Sequence, residues 1–189
     1  MTQMVVIRIG IYGMGGLGKT TLAKALYNQL LLGSFKGNCF LANVSEVSGT
    51  EGLETLQQQL INDVLKTKKK LEVHNVDEGI KLIRDRICST KVLVVIDDLG
   101  HHKQFEALVG PFASDSVVII TTRDEAILDK VKVQPKYRYM LKELNDAQSL
   151  QLFNQHAFGN ATPNNTLVLL SKDILRHAGG LPLALEVLV

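Results

Sequence analysis

Gly13-Met14-Gly15-Gly16-Leu17-Gly18-Lys19-Thr20-Thr21 fits the pattern G-x-x-x-x-G-K-[ST] of a loop that cradles phosphates. Val5-Val6-Ile7-Arg8-Ile9-Gly10-Ile11-Tyr12 runs into it and reads as a buried strand. Leu22-Ala23-Lys24-Ala25-Leu26-Tyr27-Asn28-Gln29-Leu30-Leu31 leaves it with apolar residues at helical spacing. Strand, glycine loop and helix form the setting in which this motif binds nucleoside phosphates. The chemistry explains the residue types. Glycines let backbone N–H groups turn inward on clustered negative charge, and the helix start adds its own unpaired N–H groups and positive dipole end. In this pattern Lys19 reaches the β- and γ-phosphates and the Thr20 hydroxyl ligates Mg²⁺. Gly13, Met14, Gly15, Gly16, Leu17, Gly18 and Thr21 complete the nucleotide-binding set. The competing reading, a glycine turn ahead of a buried helix, leaves Lys-Thr-Thr at the helix start unexplained.

Lys91 to Asp98 is the second decisive segment. Val92-Leu93-Val94-Val95-Ile96 reads as a strand covered on both faces, as in a parallel sheet, and Asp97-Asp98 stand at its end. With a phosphate loop upstream, these carboxylates read as a Walker-B element. Asp97 holds Mg²⁺ through water, and Asp98 polarises an attacking water or senses the γ-phosphate, so Lys19 and Asp98 are the catalytic candidates. The other reading is a carboxylate pair capping the next turn. Val117-Val118-Ile119-Ile120-Thr121-Thr122-Arg123-Asp124 is a further buried strand with a polar end. In open α/β sheets ligands lie beyond the carboxyl ends of the strands. Arg123 is therefore read as a γ-phosphate contact, against the alternative of an ion pair with Asp124 or Asp98.

The remaining chain supplies scaffold. Asn38 to Val44 reads as a second strand, Ser48 to Gly52 as a loop, and Leu53 to Leu65 and Asp77 to Cys88 as helices by apolar spacing. Lys66-Thr67-Lys68-Lys69-Lys70 reads as a solvated linker rather than a nuclear-import or nucleic-acid patch. His101-His102 read as exposed loop residues with diverging side chains. Asp146 caps a helix reaching Phe158, with Leu150, Phe153, Ala157 and Phe158 on one face. A loop at 159–165 leads to a helix from Thr166 to Ala178, stopped by Gly179-Gly180, and Pro182 opens a last helix. His156 and His177 read as packing or surface residues.

The composition is that of an ordinary globular chain: 189 residues, 46% apolar, 21% charged, formal net charge +2. That balance gives no case for nucleic acid or a membrane surface. No apolar run approaches the roughly 20 residues that span a bilayer, and Met1-Thr2-Gln3-Met4 shows no signal-peptide pattern. Cys39 and Cys88 lack metal spacing and read as two buried free thiols in a reducing, cytoplasmic setting.

Taken in order, these segments resemble the NB-ARC nucleotide-binding module of plant disease-resistance proteins over essentially the whole chain. Gly13 to Thr21 is similar to that family's phosphate loop, and Leu93 to Leu99 to its Walker-B "kinase 2" motif. Ile119 to Asp124 resembles its arginine-bearing sensor strand, and Tyr139 to Phe158 the segment leading into the helical ARC region. Gly180-Leu181-Pro182-Leu183-Ala184-Leu185 resembles its GLPL motif, which implies Pro182 as a nucleotide contact. Phe40-Leu41-Ala42-Asn43-Val44 resembles the subclass with an N-terminal TIR domain. Gly100 departs from that subclass, which usually has Asp there, and Ser45 replaces a frequent Arg. Ala113-Ser114-Asp115 replaces a glycine-rich entry to the sensor strand.

The resemblance implies a P-loop parallel α/β sheet with helices on both faces over residues 1–140, followed by an incomplete first helical ARC subdomain over 141–189. It implies ATP/ADP and Mg²⁺ as ligands and a switch in which ADP holds a receptor off and ATP permits oligomerisation, with slow hydrolysis at most. It implies a segment of a longer cytoplasmic receptor, with nuclear presence possible for the parent. Its partners are then a TIR domain, a second ARC subdomain and leucine-rich repeats, with no membrane and no direct nucleic acid. Three enzyme readings are weaker. A phosphotransferase needs an arginine-rich lid, whereas Arg84 and Arg86 lie on a predicted helix. GTPase and transporter readings lack their Asn-Lys-x-Asp and Leu-Ser-Gly-Gly-Gln motifs. A non-enzymatic reading, an interaction module with a vestigial site, runs against intact Lys19, Thr20, Asp97 and Asp98.

Overall fold

The computed structural model describes residues 6–66, 70–159 and 174–188. Contacts divide the chain into two compact units: Met1–Tyr12 with Lys19–Met140, and Gly13–Gly18 with Leu141–Val189.

The first unit is built on an all-parallel sheet of β1 (Ile7–Tyr12), β2 (Gly37–Leu41), β3 (Val92–Ile96), β4 (Val117–Thr122) and β5 (Arg138–Met140), in the order β2-β3-β4-β1-β5. Every residue of β3 and β4 is buried, as their unbroken apolar runs require. Alternation then divides them between two faces. Leu93, Val95, Val117 and Ile119 pack with Ala23, Leu26, Tyr27 and Leu30 of α1 (Lys19–Leu30). Val94, Ile96, Val118 and Ile120 join a larger cluster on the opposite face. That cluster takes residues from α2 (Val44–Thr50), α3 (Leu53–Leu65), α4 (Val76–Ile87), α5 (His102–Leu108) and α6 (Glu125–Lys130). Helices thus cover both faces, the expected α/β fold. Gly10 is needed in β1 for close approach: a Cβ there would come within 2.7 Å of Leu128 Cδ1 on α6. Two residues earlier, Arg8 interrupts the apolar strand. Its guanidinium donates to the Val131 carbonyl at the end of α6 (2.8 Å) and lies 5.2 Å from the Phe105 ring centroid, and burial lowers its pKa.

Several local readings need correction. Val44 to Thr50 is helix α2, not strand end and loop. Asn43 leads into it in a left-handed conformation (φ 50) without a side-chain cap, so the usual start signal is missing. Val44 nonetheless sits fully buried in the core, and that burial holds the helix in place. Helices α5 and α6, of seven and six residues, were not legible either, being too short to display a period. Cys39 is buried and its thiol donates to Asp63 (3.3 Å); burial pushes its pKa up. Cys88, read as buried, is exposed, because α4 ends at Ile87 and Cys88 is already its C-cap.

His101 and His102 also differ from the loop reading. His102 is the first residue of α5 and half-buried, and the two rings lie 4.2 Å apart rather than diverging. His101 is the N-cap: its Nδ1 accepts the Lys103 N–H (3.2 Å), and Gln104 Oε1 accepts the Gly100 and His101 N–H groups (3.0 Å each). A protonated Nδ1 cannot accept, so the cap exists only in the neutral ring. Local desolvation, then His102, Lys103 and Lys130, hold the His101 pKa below its ordinary value, with Glu106 pulling upward. A histidine with a lowered folded-state pKa stabilises fully above its unfolded value of about 6.5, and that contribution disappears as pH falls through the folded value. We therefore expect a thermal melting temperature that declines from pH 7 to pH 5, with a shallower decline in His101→Asn, whose side chain caps without titrating. Parallel declines in a melting series would remove His101 as the cause.

In the second unit, α7 (Asp146–Phe158) is capped by Asn145 rather than Asp146: Asn145 Oδ1 accepts the Gln148 N–H and Gln148 Oε1 accepts the Asn145 N–H. This reciprocal box is geometrically available only one residue earlier than read. Phe153, Ala178 and Leu185 form the core, with helical residues 174–178 and α8 (Pro182–Val187) supplying the latter two. Ser149 and Phe153 point inward, while Leu150, read on the same face as Phe153, is exposed. Pro182 occupies the first turn of α8, as read. The reading of a loop and helix start at 160–173 lies outside the described residues, as does the Thr67-Lys68-Lys69 part of the basic run. Among the described residues no helix is long and apolar enough to cross a membrane.

Candidate functional site

The carboxyl ends of β3 and β4 converge on the first turn of α1 in the first unit. Thr20 Oγ1 donates to both Asp97 oxygens, at 2.8 Å and 3.0 Å, across 77 positions of sequence. Asp97 is fully buried, and its backbone is fastened on both sides: its N–H donates to Leu41 O (2.9 Å) and its carbonyl accepts the Val44 N–H (2.8 Å). The Thr121 hydroxyl, also buried, donates to Asp97 Oδ1 (2.7 Å) and accepts the Asp98 N–H (2.8 Å). Asp98 itself adopts a left-handed conformation, φ 55, uncommon for a residue with a side chain.

Lys19 is buried at 8% exposure. Burial lowers its pKa and Arg123 adds to this, while Asp98 and Asp97 pull it up. The ammonium is thus poised among both carboxylates and the arginine. Arg123 Nε lies 3.5 Å from Asp98 Oδ1, with the arginine side chain 70% exposed. Both readings of Arg123 therefore remain physically available: it is paired with Asp98 here, and its tip is open to solvent. The Thr20–Asp97 arrangement suits a hard cation. Its donors are a hydroxyl whose proton is directed at the carboxylate, leaving oxygen lone pairs outward, and the carboxylate itself; Mg²⁺ takes such oxygen ligands. Among the described residues there is no group of three or more His, Cys, Asp or Glu that could hold a metal.

Gly13 to Gly18 belongs to the second unit and is bound within it. The Leu183 N–H donates to Gly16 O (3.2 Å), so the first turn of α8 is tied to the glycine loop. Gly13 has φ +143, and a Cβ there would come within 2.6 Å of Leu141 O. Gly16 has φ +79, and a Cβ would press on Leu183 Cβ at 3.1 Å. No L side chain fits this path without strain. Met14 is exposed and Leu17 buried; Pro182 is half-buried beside Leu183. Thr21, on α1 in the first unit, is exposed.

A cleft of about 340 Å³ opens beside the Asp98–Arg123 pair, lined also by Ser45, Gly100 and Asp124. A Cβ on Gly100 would come within 2.5 Å of Ser45 Oγ. The two departures noted at positions 45 and 100 are therefore one local feature: a small residue in each place, packed against the other. The sequence reading missed the paired threonines of β4. Thr122 Oγ1 donates to Leu99 O (2.8 Å), and Thr121 engages both aspartates. Two adjacent hydroxyls at the polar end of a buried strand were the available signal.

A family model described as NB-ARC domain matches residues 2–162. Disease resistance-like protein DSC1 of Arabidopsis thaliana is 40% identical over 183 residues, covering 95% of this chain and 15% of that protein. TMV resistance protein N of Nicotiana glutinosa is 38% identical over 188 residues, covering 95% and 16% respectively. The chain thus spans less than a fifth of the length of these curated relatives. Among solved structures, the Aeropyrum pernix ORC2 protein in ADPNP-ADP complexes superposes with a TM-score of 0.63 at 13% identity, over 96% of this chain and 54% of that one. That likeness concerns the fold.

Proposed function

The chain belongs to the NB-ARC family, and from this premise we propose that it is the nucleotide-binding switch module of a plant immune receptor, taking ADP or ATP with Mg²⁺. The observation that carries the reading is the 2.8 Å hydrogen bond from Thr20 to the buried Asp97. The residue that follows the phosphate-loop lysine meets the strand-end carboxylate, as a Mg²⁺–nucleotide site requires. Lys19 takes the β- and γ-phosphates, and Gly13, Met14, Gly15, Gly16, Leu17, Gly18 and Thr21 supply the loop around them. Pro182 is a nucleotide contact by the likeness of Gly180 to Leu185 to the family's GLPL motif. Thr20 and Asp97 hold Mg²⁺, which neutralises phosphate charge when bound. Asp98, with Lys19, governs what hydrolysis there is. The switch acts within a longer cytoplasmic receptor, between a TIR domain and leucine-rich repeats, and ATP favours its oligomerisation. Residues 141–189 are the first part of its helical ARC region.

Arg123 gives the switch its nucleotide preference. It leaves Asp98 for the γ-phosphate, a charge that ADP lacks, so triphosphate and diphosphate favour different local arrangements. Arg123→Ala is expected to weaken ATP binding about tenfold while changing ADP binding by less than about threefold, the scale of one charge-assisted contact partly screened by solvent. Calorimetric titrations with both nucleotides decide it; equal losses would assign Arg123 to the ion pair alone. The site reading as a whole is tested by denaturing the purified chain and resolving the released supernatant by ion exchange, where ADP or ATP is expected.

A further inference from the structure

We propose that Thr121 is a positioning residue for the metal-holding carboxylate, a role that rests on the nucleotide reading above. A buried threonine in a strand ordinarily satisfies its hydroxyl with one backbone carbonyl and has no further part. Thr121 does something else. Both capacities of its hydroxyl are committed to two consecutive aspartates: the oxygen accepts the Asp98 N–H at 2.8 Å and the proton goes to Asp97 Oδ1 at 2.7 Å. An amide N–H only donates and a carboxylate only accepts, so with Asp98 N–H on the oxygen the hydroxyl proton is directed to Asp97 and the rotor has one orientation.

The consequence for Asp97 is asymmetric. Of these two hydroxyls, both reach Oδ1, Thr121 at 2.7 Å and Thr20 at 2.8 Å, whereas Oδ2 takes the longer arm of Thr20 at 3.0 Å. The two hydroxyls thus engage Oδ1 more tightly than Oδ2, which sets the carboxylate's orientation. Without Thr121, only Thr20 among these two hydroxyls would fix the carboxylate, and Thr20 is itself a ligand candidate. The same hydroxyl anchors the amide of Asp98, whose φ of 55 needs an external partner to persist. Thr121 is thus to the metal-holding oxygen what outer-shell partners are to ligands generally, and such partners are worth about ten- to a hundredfold in metal affinity. Thr122, one position on, gives its hydroxyl proton to Leu99 O at 2.8 Å, which makes it the internal control.

The test uses the 189-residue chain and a fluorescent ADP analogue, titrated first in chelator and then with increasing Mg²⁺. Thr121→Val keeps shape and removes the hydroxyl. It is expected to raise the Mg²⁺ concentration for half-maximal effect about tenfold, with affinity in chelator within about twofold of wild type, since the phosphate loop and Lys19 are untouched. Thr121→Ser restores the midpoint, and Thr122→Val leaves it in place. Thr121→Ala is read beside the valine variant, so the result does not hang on the folding of one substitution. A Thr121→Val midpoint equal to wild type overturns the proposal, as does an equal shift in Thr122→Val or an equal loss in chelator. A wild-type chain that binds no ADP at any Mg²⁺ concentration overturns the nucleotide reading and the Thr121 role with it. Wild-type binding with an unshifted valine variant overturns the Thr121 role alone.

Discussion

Replacing Lys19 by alanine lowers affinity for Mg²⁺–ADP by about 2–3 kcal/mol, roughly 30- to 150-fold. The size follows from where the ammonium sits. Lys19 is 8% exposed, so its contact with phosphate is made largely out of water, where a charge-assisted bond is strong. The backbone cradle of Gly13 to Gly18 survives the substitution, which is why affinity falls rather than vanishes. Folding is not expected to suffer in proportion, because burial already disfavours the ammonium in the free chain, as its lowered pKa records. Calorimetry with ADP and Mg²⁺, read beside a thermal melt of the free protein, separates the two effects. Unchanged affinity removes Lys19 from the site; a collapsed melting temperature makes it a structural residue first.

Leu93→Ala destabilises the first unit by about 2–5 kcal/mol, the cost of a cavity where neighbours cannot close in. Leu93 is fully buried in the central sheet, paired in register with Asn38 on one side and Val117 on the other. It packs in the cluster that holds Ile11, Ala23, Val95 and Ile119. Strands on both flanks and α1 above leave little room for relaxation. Against a typical total of about 5–15 kcal/mol this is a large fraction, whereas breaking the exposed Arg123–Asp98 pair costs about 0–1 kcal/mol. Urea unfolding is expected to show a lower midpoint with an unchanged slope. A loss under about 1 kcal/mol would mean that the face over α1 repacks freely.

The two substitutions mark what each level of description contributes. Leu93 was legible as core because a run of five apolar residues, Val92 to Ile96, has no polar face to present to water. Lys19 stood out as a candidate because the phosphate-loop pattern is local, compressed into nine consecutive residues, Gly13 to Thr21. The α3 helix, Leu53–Leu65, was read with the bounds it has in the fold because thirteen residues carry enough turns to display a period. By contrast α2, α5 and α6 have seven, seven and six residues. Helices that short are marginal by themselves and form because tertiary packing holds them, so local sequence cannot announce them.

The catalytic and metal candidates divide along the same line. The choice of Lys19, Thr20, Asp97, Asp98 and Arg123 as candidates followed from residue types at the ends of recognisable strands and at the start of a helix. That Thr20 reaches Asp97 across 77 positions, that Arg123 rests on Asp98, and that Thr121 holds both aspartates at once are consequences of the β3–β4 register and of the α1 first turn. Register is set by how two buried faces fill, a property of the whole sheet. Sequence by itself determined which residue types stand at the strand ends and at the helix start; only the tertiary structure decided which hydroxyl points at which carboxylate oxygen, because hydrogen bonds are settled within a few tenths of an ångström and chain-local patterns fix positions no better than a residue or two.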